Sequence, residues 1–307
     1  MRRPERGRAA VVAVAAAVVC AWGGSACATP GPAAAPPAVV PVVASTNVYG
    51  DIVERIGGDR VDVVSIIDDP AQDPHSYEAN TRNQLELSKA KVIVRNGGGY
   101  DDFVARMLRA SGNSSADVVD AVEASGKSPD ARGEFNEHVW YDFPAMGALA
   151  DRIADALAKV SPDDRGLFRD NAGEFKERLQ TLTDRTERIA DEHGGTAVAV
   201  TEPVPLYLTE ACGLADRTPA AFSEAIEEGE EVPARSLRET LALLDDRKVR
   251  ALIYNEQTTG PQTEQVRTAA EDNGVPVVPV TETLPEGEDY IGWMAANIDA
   301  LSKALDR

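Results

Sequence analysis

Two short stretches hold the residues best suited to grip a metal ion. QDPHSYEAN (72–80) sets His75 after a proline and between acidic residues, and NEHVWYD (136–142) repeats the pattern around His138. The chain has three histidines in all, the third being His193. Imidazole is a common metal ligand near neutral pH. Carboxylates that could join the two are Glu202, at the end of an apolar run, and Glu288 and Asp289, where the last apolar run gives way to the last helical pattern. Two imidazoles and two carboxylates suffice for a four-coordinate or slightly larger site. Taken singly, each residue has a plainer role. A lone loop histidine is usually solvated. Glu202 needs a partner if buried. Asp289 suits a helix N-cap, and His193 suits the C-terminal end of a charged helix, where the dipole favours it. Other chemistries find less support. GGGYDD (97–102) lacks GxGxxG spacing and a Walker lysine, and no G-x-S-x-G elbow supports a Ser-His-Asp reading.

The elements that must position these residues alternate between apolar runs and helical spacing. AVVPVVAST (38–46), RVDVVSIID (60–68), KVIVRNGGG (91–99) and ADVVDAVE (116–123) read as strands. Helices are expected over 47–59, 81–90, 101–111 and 143–160. SPDDRGLFRDNAGEFKERLQTLTDRTERIADEH (161–193) is an unusually long helix, with Ser161 and Pro162 at its start. Its incomplete stripe of Leu167, Ala172, Phe175, Leu179, Leu182 and Ile189 suits a rigid strut between lobes better than a core helix. The pattern then restarts, with strands at 196–203, 249–257 and 275–282 and helices after each, the last at 289–305. Such alternation implies parallel sheets covered on both faces. The expected class is α/β: two lobes with mainly parallel sheets flanked by helices, at 41–160 and 194–307, joined by the rigid linker helix 161–193. Sites in open α/β sheets form beyond the carboxyl ends of the strands. The cleft between the lobes is therefore the expected place for the two histidines and the carboxylates to meet.

The formal net charge of −20 argues against nucleic acid and against an electrostatic grip on anionic lipid. MRRPERGR is basic, and AAVVAVAAAVVCAW (9–22) is a short apolar run followed by GGSAC. Residues 1–26 therefore read as an export signal. Cys27 after Gly-Ser-Ala resembles a bacterial lipobox, although Gly24 stands where leucine is usual. Residues 27–40 then form a lipid-anchored, Pro/Ala-rich flexible tether. Cys20 leaves with the signal and Cys27 carries lipid, so Cys212 stands alone and no intrachain disulfide is expected.

DPHSYE, NEHVWYD, TEPVPLYL, YNEQTTGPQTEQV and TETLPEGEDYIGWMAAN occur in a particular order. In that order the chain resembles the cluster A-I solute-binding proteins of metal ABC importers, over essentially its whole mature length. The resemblance implies metal ligands at His75, His138 and Glu202, and a fourth at Asp289, with Glu288 as the adjacent alternative. Zinc members commonly carry histidine where this chain has Glu202, and often a His-rich loop where 124–135 has no histidine. An oxygen-rich set suits Mn²⁺ or Fe²⁺, yet zinc also binds histidine and carboxylate well. The cargo expected is one divalent transition metal, Zn²⁺ or Mn²⁺/Fe²⁺. A ligating imidazole usually gives its other N–H to an acceptor, for which Glu78, Glu137 and Asp142 are near in sequence. Asn255 and Glu256 end a second-lobe strand and point into the same cleft, while Trp140 and Tyr141 are expected to pack.

The resulting expectation is a non-enzymatic, monomeric receptor, held on the outer face of the membrane or in the periplasm. Its partners are a separate ABC permease and ATPase. The rival is an exported metal-dependent hydrolase using the same cluster.

Overall fold

The computed structural model describes residues 39–307, apart from 70, 71, 73–76, 78, 79 and 130–134. The signal, Cys27 and the tether up to residue 38 lie outside the described residues, as do His75 and Glu78, whereas Val40, placed in the tether by sequence, opens the first strand.

The first lobe carries β1 (Val40–Thr46), α1 (Asn47–Gly57), β2 (Val61–Ile67), α2 (Thr81–Lys89), β3 (Val92–Arg95), α3 (Asp102–Ser111), β4 (Asp117–Asp120), α4 (Ala121–Ser125) and α5 (Phe143–Val160). The linker helix is α6 (Arg165–His193). The second lobe carries β5 (Ala197–Val200), α7 (Leu206–Ala211), β6 (Ala215–Asp216), α8 (Ala220–Glu227), α9 (Ala234–Asp245), β7 (Leu252–Asn255), α10 (Pro261–Asp272), β8 (Val277–Val280) and α11 (Tyr290–Leu305). The apolar runs became strands because helices cover both faces of each sheet, which leaves almost no solvent side for polar residues.

Both sheets are parallel and have the same order, β2-β1-β3-β4 and β6-β5-β7-β8. The direction of winding reverses between β1 and β3 in the first lobe and between β5 and β7 in the second. Diverging connections there leave a crevice at the carboxyl ends. Asn96 follows β3, and Glu202 lies just beyond β5, opposite Asn255 at the end of β7.

The 29 residues of α6 span about 44 Å at 1.5 Å rise each. Phe168, Ala172, Phe175, Leu179, Leu182, Thr186 and Ile189 are buried along it, alternating steps of four and three. Phe168 replaces the expected Leu167, which is exposed; the other five expected residues are buried, and Thr186 fills the remaining position of the stripe. The helix is a core element as well as a linker. One hydrophobic cluster runs from Val40, Ile52 and Trp140 through Phe175 and Leu179 to Val200, Tyr290 and Leu305. Two smaller clusters lie elsewhere, one around Ile67 and Phe103, the other around Phe222 and Leu252. Hydrogen bonds tie the lobes as well. Asn47 exchanges a pair with the Leu284 backbone at 2.8 and 2.9 Å, and the Tyr141 hydroxyl donates to the Thr281 carbonyl at 2.8 Å.

Cys212 sits in this shared core with no exposure. Burial pushes its thiol up to about 12. Thiolate is the reactive form, so a thiol reagent at pH 8 is expected to leave Cys212 unlabelled in the native protein and to label it after denaturation, as read by peptide mapping. Native labelling at the denatured rate would mean that this part of the core opens.

Candidate metal centre

The site is assembled from loops at the carboxyl ends of the strands. On the first-lobe side, three consecutive glycines, Gly97, Gly98 and Gly99, turn the chain after β3, all with positive φ. A Cβ on Gly97 would fall 2.3 Å from the Asp120 carboxylate, so only glycine fits there. The Asp101 carboxylate accepts from the backbone N–H groups of Asn96 and Gly97 at 2.6 and 2.9 Å and fixes the turn. Burial raises its pKa, while Ser45, the Gly97 and Asn96 backbone N–H groups and Arg95 oppose the rise. Asn96, held by the Tyr49 hydroxyl, then donates to the Glu137 carbonyl at 3.0 Å and positions the residue before His138.

His138 is fully buried, with its ring 5.0 Å from Trp140 and 6.1 Å from Tyr100. Its Nδ1 lies 2.6 Å from Asn136 Oδ1. The Asn136 amide is oriented by the Pro203 carbonyl, which accepts from Nδ2 at 3.0 Å. A carbonyl can only accept, so Oδ1 must face the imidazole, Nδ1 carries the proton, and Nε2 keeps its lone pair. That assignment comes from the hydrogen-bond network. Tyr207 steadies the same turn by donating to the Asn136 carbonyl at 2.8 Å. Burial first, then the charges of Asp142, Glu210 and Glu137, push the Tyr207 phenol up to about 12, so it remains a donor at neutral pH.

His138 Nε2 faces carboxylates from the second lobe. Glu227 Oε1, at the end of α8, lies 3.4 Å away, and Glu282 Oε2, two residues past β8, lies 4.0 Å away. Glu137, His138 and Glu227 each offer a donor atom within 4.8 Å of the others. Asn255 joins the remaining acids: its Nδ2 donates to Glu202 and, at 2.9 Å, to Glu282 Oε1. Glu202 and Glu282 are both 2 % exposed. Two carboxylates held on one amide nitrogen, opposite an imidazole lone pair, make a buried acceptor-rich pocket. A dication among them would satisfy all three at once.

Register explains this convergence. Val200 pairs with Ile253 and Asn255 with Val280. Glu202 therefore lies level with Asn255, and Glu282 is level with Gln257. The Gln257 side-chain carbonyl accepts from the Glu282 backbone N–H and, at 3.3 Å, from that of Thr283. Asn255→Ala should release both carboxylates and weaken metal retention roughly 10–100-fold, as for other partners of metal ligands. A competitive titration checks this, and unchanged affinity would mean that the amide does not restrain them.

Several expected site residues lie elsewhere. Asp289 caps α11, accepting from the Gly292 N–H at 2.7 Å, and it ion-pairs with Arg55. Glu288 and Glu256 are exposed. Asp142 caps α5 through the Ala145 N–H at 2.7 Å and pairs with Lys127 at 2.6 Å, so the acceptor for His138 is Asn136 instead. His193 sits in the last turn of α6 with Asp306 at 3.2 Å. Sequence reasoning missed Glu282, Asn136 and Glu227. Glu282 did carry a signal, because it is an acid just beyond an apolar strand, as Glu202 is. Glu227 belongs to a helix for which no pattern was recognised.

The profile of the family described as "ZnuA: Zinc-uptake complex component A periplasmic" matches residues 42–304. The manganese-binding lipoprotein MntA of Bacillus subtilis is 27% identical over 277 residues, covering 86% of this chain and 89% of MntA. The manganese ABC transporter substrate-binding lipoprotein PsaA of Streptococcus pneumoniae is 24% identical over 285 residues, covering 86% and 88%. Among solved structures, the periplasmic zinc-binding protein TroA from Treponema pallidum superposes with a TM-score of 0.74 at 21% identity, covering 87% of this chain and 99% of TroA. The chain shares its fold with TroA, and with the profile spanning nearly all of the described body it belongs to the ZnuA family of periplasmic zinc-uptake components.

Proposed function

We propose that this protein captures a transition-metal dication, Zn²⁺ or Mn²⁺/Fe²⁺, in the interlobe cleft and delivers it to the permease and ATPase of an ABC importer. The observation that carries the reading is the buried convergence of His138 Nε2 with Glu282, itself tied to Glu202 through Asn255. His138, Glu202 and Glu282 serve as ligands, and His75, assigned from sequence, completes the set. Glu282 takes the place that sequence gave to Asp289. The names of MntA and PsaA support a metal cargo. The protein is a receptor and not an enzyme, and no observation favours the hydrolase alternative. Metal ligands must be deprotonated, so capture weakens in acid.

Residues 1–26 direct export, Cys27 bears the lipid, and the Pro/Ala-rich stretch before Val40 tethers a monomeric body to the outer face of the membrane. Among the described residues no helix is long and apolar enough to cross a membrane.

Elemental analysis of protein purified without chelator tests the reading, followed by competitive titration with Mn²⁺, Fe²⁺ and Zn²⁺ on wild type, His75→Ala and His138→Ala. One metal per chain, lost in both variants, supports it. Wild type without stoichiometric metal under any loading condition overturns it.

A further inference from the structure

Glu227 is not in the ligand set just described, yet its carboxylate is closer to His138 Nε2 than that of Glu282 is, at 3.4 against 4.0 Å. Its side chain is 15% exposed. It is the last residue of α8, where the helix dipole disfavours an anion. Helix stability therefore does not account for a carboxylate at this position. Nor is it a loosely hung surface charge: Phe222, Ser223, Ala225 and Ile226 of the same helix are buried, and Ser223 lies one turn before it on the same face. Gly229, with φ +65°, then turns the chain away, its N–H bonded to the Ile226 carbonyl at 3.1 Å. The helix ends so that Glu227 is delivered to the imidazole, while Glu228 beside it is exposed.

We infer that Glu227 is a further cargo-contacting carboxylate that biases the site toward Mn²⁺ or Fe²⁺ over Zn²⁺. The inference rests on the metal-capture reading above. Zn²⁺ is satisfied by four donors in a tetrahedron. Hard dications such as Mn²⁺ favour more oxygen donors in octahedral surroundings. A third carboxylate beside His138, Glu202 and Glu282 raises both the donor number and the oxygen share of the set. Its loss should therefore cost Mn²⁺ more than Zn²⁺.

The test is competitive titration of Mn²⁺ and Zn²⁺ against a chelating dye, using the full-length protein, Glu227→Gln, Glu228→Gln and His138→Ala. The electron paramagnetic resonance spectrum of bound Mn²⁺ provides a second readout. Glutamine keeps the shape, and Glu228→Gln makes the same charge change one residue away. The expected result is a loss of about tenfold or more in Mn²⁺ affinity for Glu227→Gln, within the range for residues that hold a metal site together. Zn²⁺ affinity changes much less, the Mn²⁺ spectrum alters, and Glu228→Gln matches wild type. An unchanged Mn²⁺/Zn²⁺ ratio in Glu227→Gln, while His138→Ala loses metal, overturns the inference and leaves the capture reading standing. Metal retained at wild-type affinity by His138→Ala overturns the capture reading itself.

Discussion

Glu282→Ala is expected to abolish stoichiometric metal retention, while Asp289→Ala keeps it. Glu282 is buried beside His138 and shares the Asn255 amide with Glu202. Because Glu282 is a proposed ligand, its removal should cost more than the roughly 10–100-fold typical of outer partners. Asp289 holds the start of α11 and pairs with Arg55 at a half-exposed position. Its loss should cost about 1 kcal/mol of stability for the cap and little for the exposed ion pair. Elemental analysis and thermal unfolding of the two variants separate the effects. Metal retained by Glu282→Ala and lost by Asp289→Ala would return the fourth ligand to the place sequence suggested.

Trp140→Ala carries the largest expected effect on stability. Trp140 is 1% exposed and packs against Tyr100 at 4.8 Å, His138 at 5.0 Å and Tyr141 at 6.3 Å between ring centres. Its carbonyl also receives the Tyr290 hydroxyl at 2.6 Å. Truncating a buried tryptophan costs about 3–5 kcal/mol, which lowers the melting temperature by roughly 10 °C in a chain of this size. The side chain also buttresses the His138 imidazole, so metal affinity should fall with stability. Trp140→Phe, which keeps an aromatic surface against the imidazole, should retain most of both. Calorimetry with and without metal reads the two effects together, and a shift of under about 2 °C for Trp140→Ala would show that this wall repacks without cost.

The repeated alternation of strand and helix was legible because the inner strands β1, β3, β5 and β7 are buried on both faces and so read as apolar runs. Legibility failed where tertiary contacts decide. Residues 220–227 form α8 without a capping side chain at Pro219, and the two-residue β6 is too short to carry a pattern. Along α6, Leu167 and Phe168 are both large and apolar, and only packing chooses Phe168 for the core. The fourth acid shows the same limit. Locally, Asp289 is a helix cap and Glu282 a strand end, and both local readings hold. That Glu282 meets His138 depends on the β7–β8 register and on the Asn136 turn, more than a hundred residues apart in the chain. Glu202 was legible for the converse reason: a charge ending a buried strand must find a partner, and it finds Asn255.

The apolar face of α6 has a consequence for how the chain matures. Synthesis delivers the amino-terminal half first. At that stage Phe175, whose ring later lies 5.8 Å from that of Tyr290, has no partner on that side. The same holds for the part of the core that Val200, Met294 and Leu305 will close. The first lobe covers one side of α6 with α1 and α5, but the side that faces α11 stays open until that last sixteen-residue helix emerges. Until then the nascent chain leaves apolar surface around Phe175 uncovered, the kind of surface that holding chaperones bind. A chain cut short before α11 would therefore lack Tyr290, Met294 and Leu305 from the core that both lobes share.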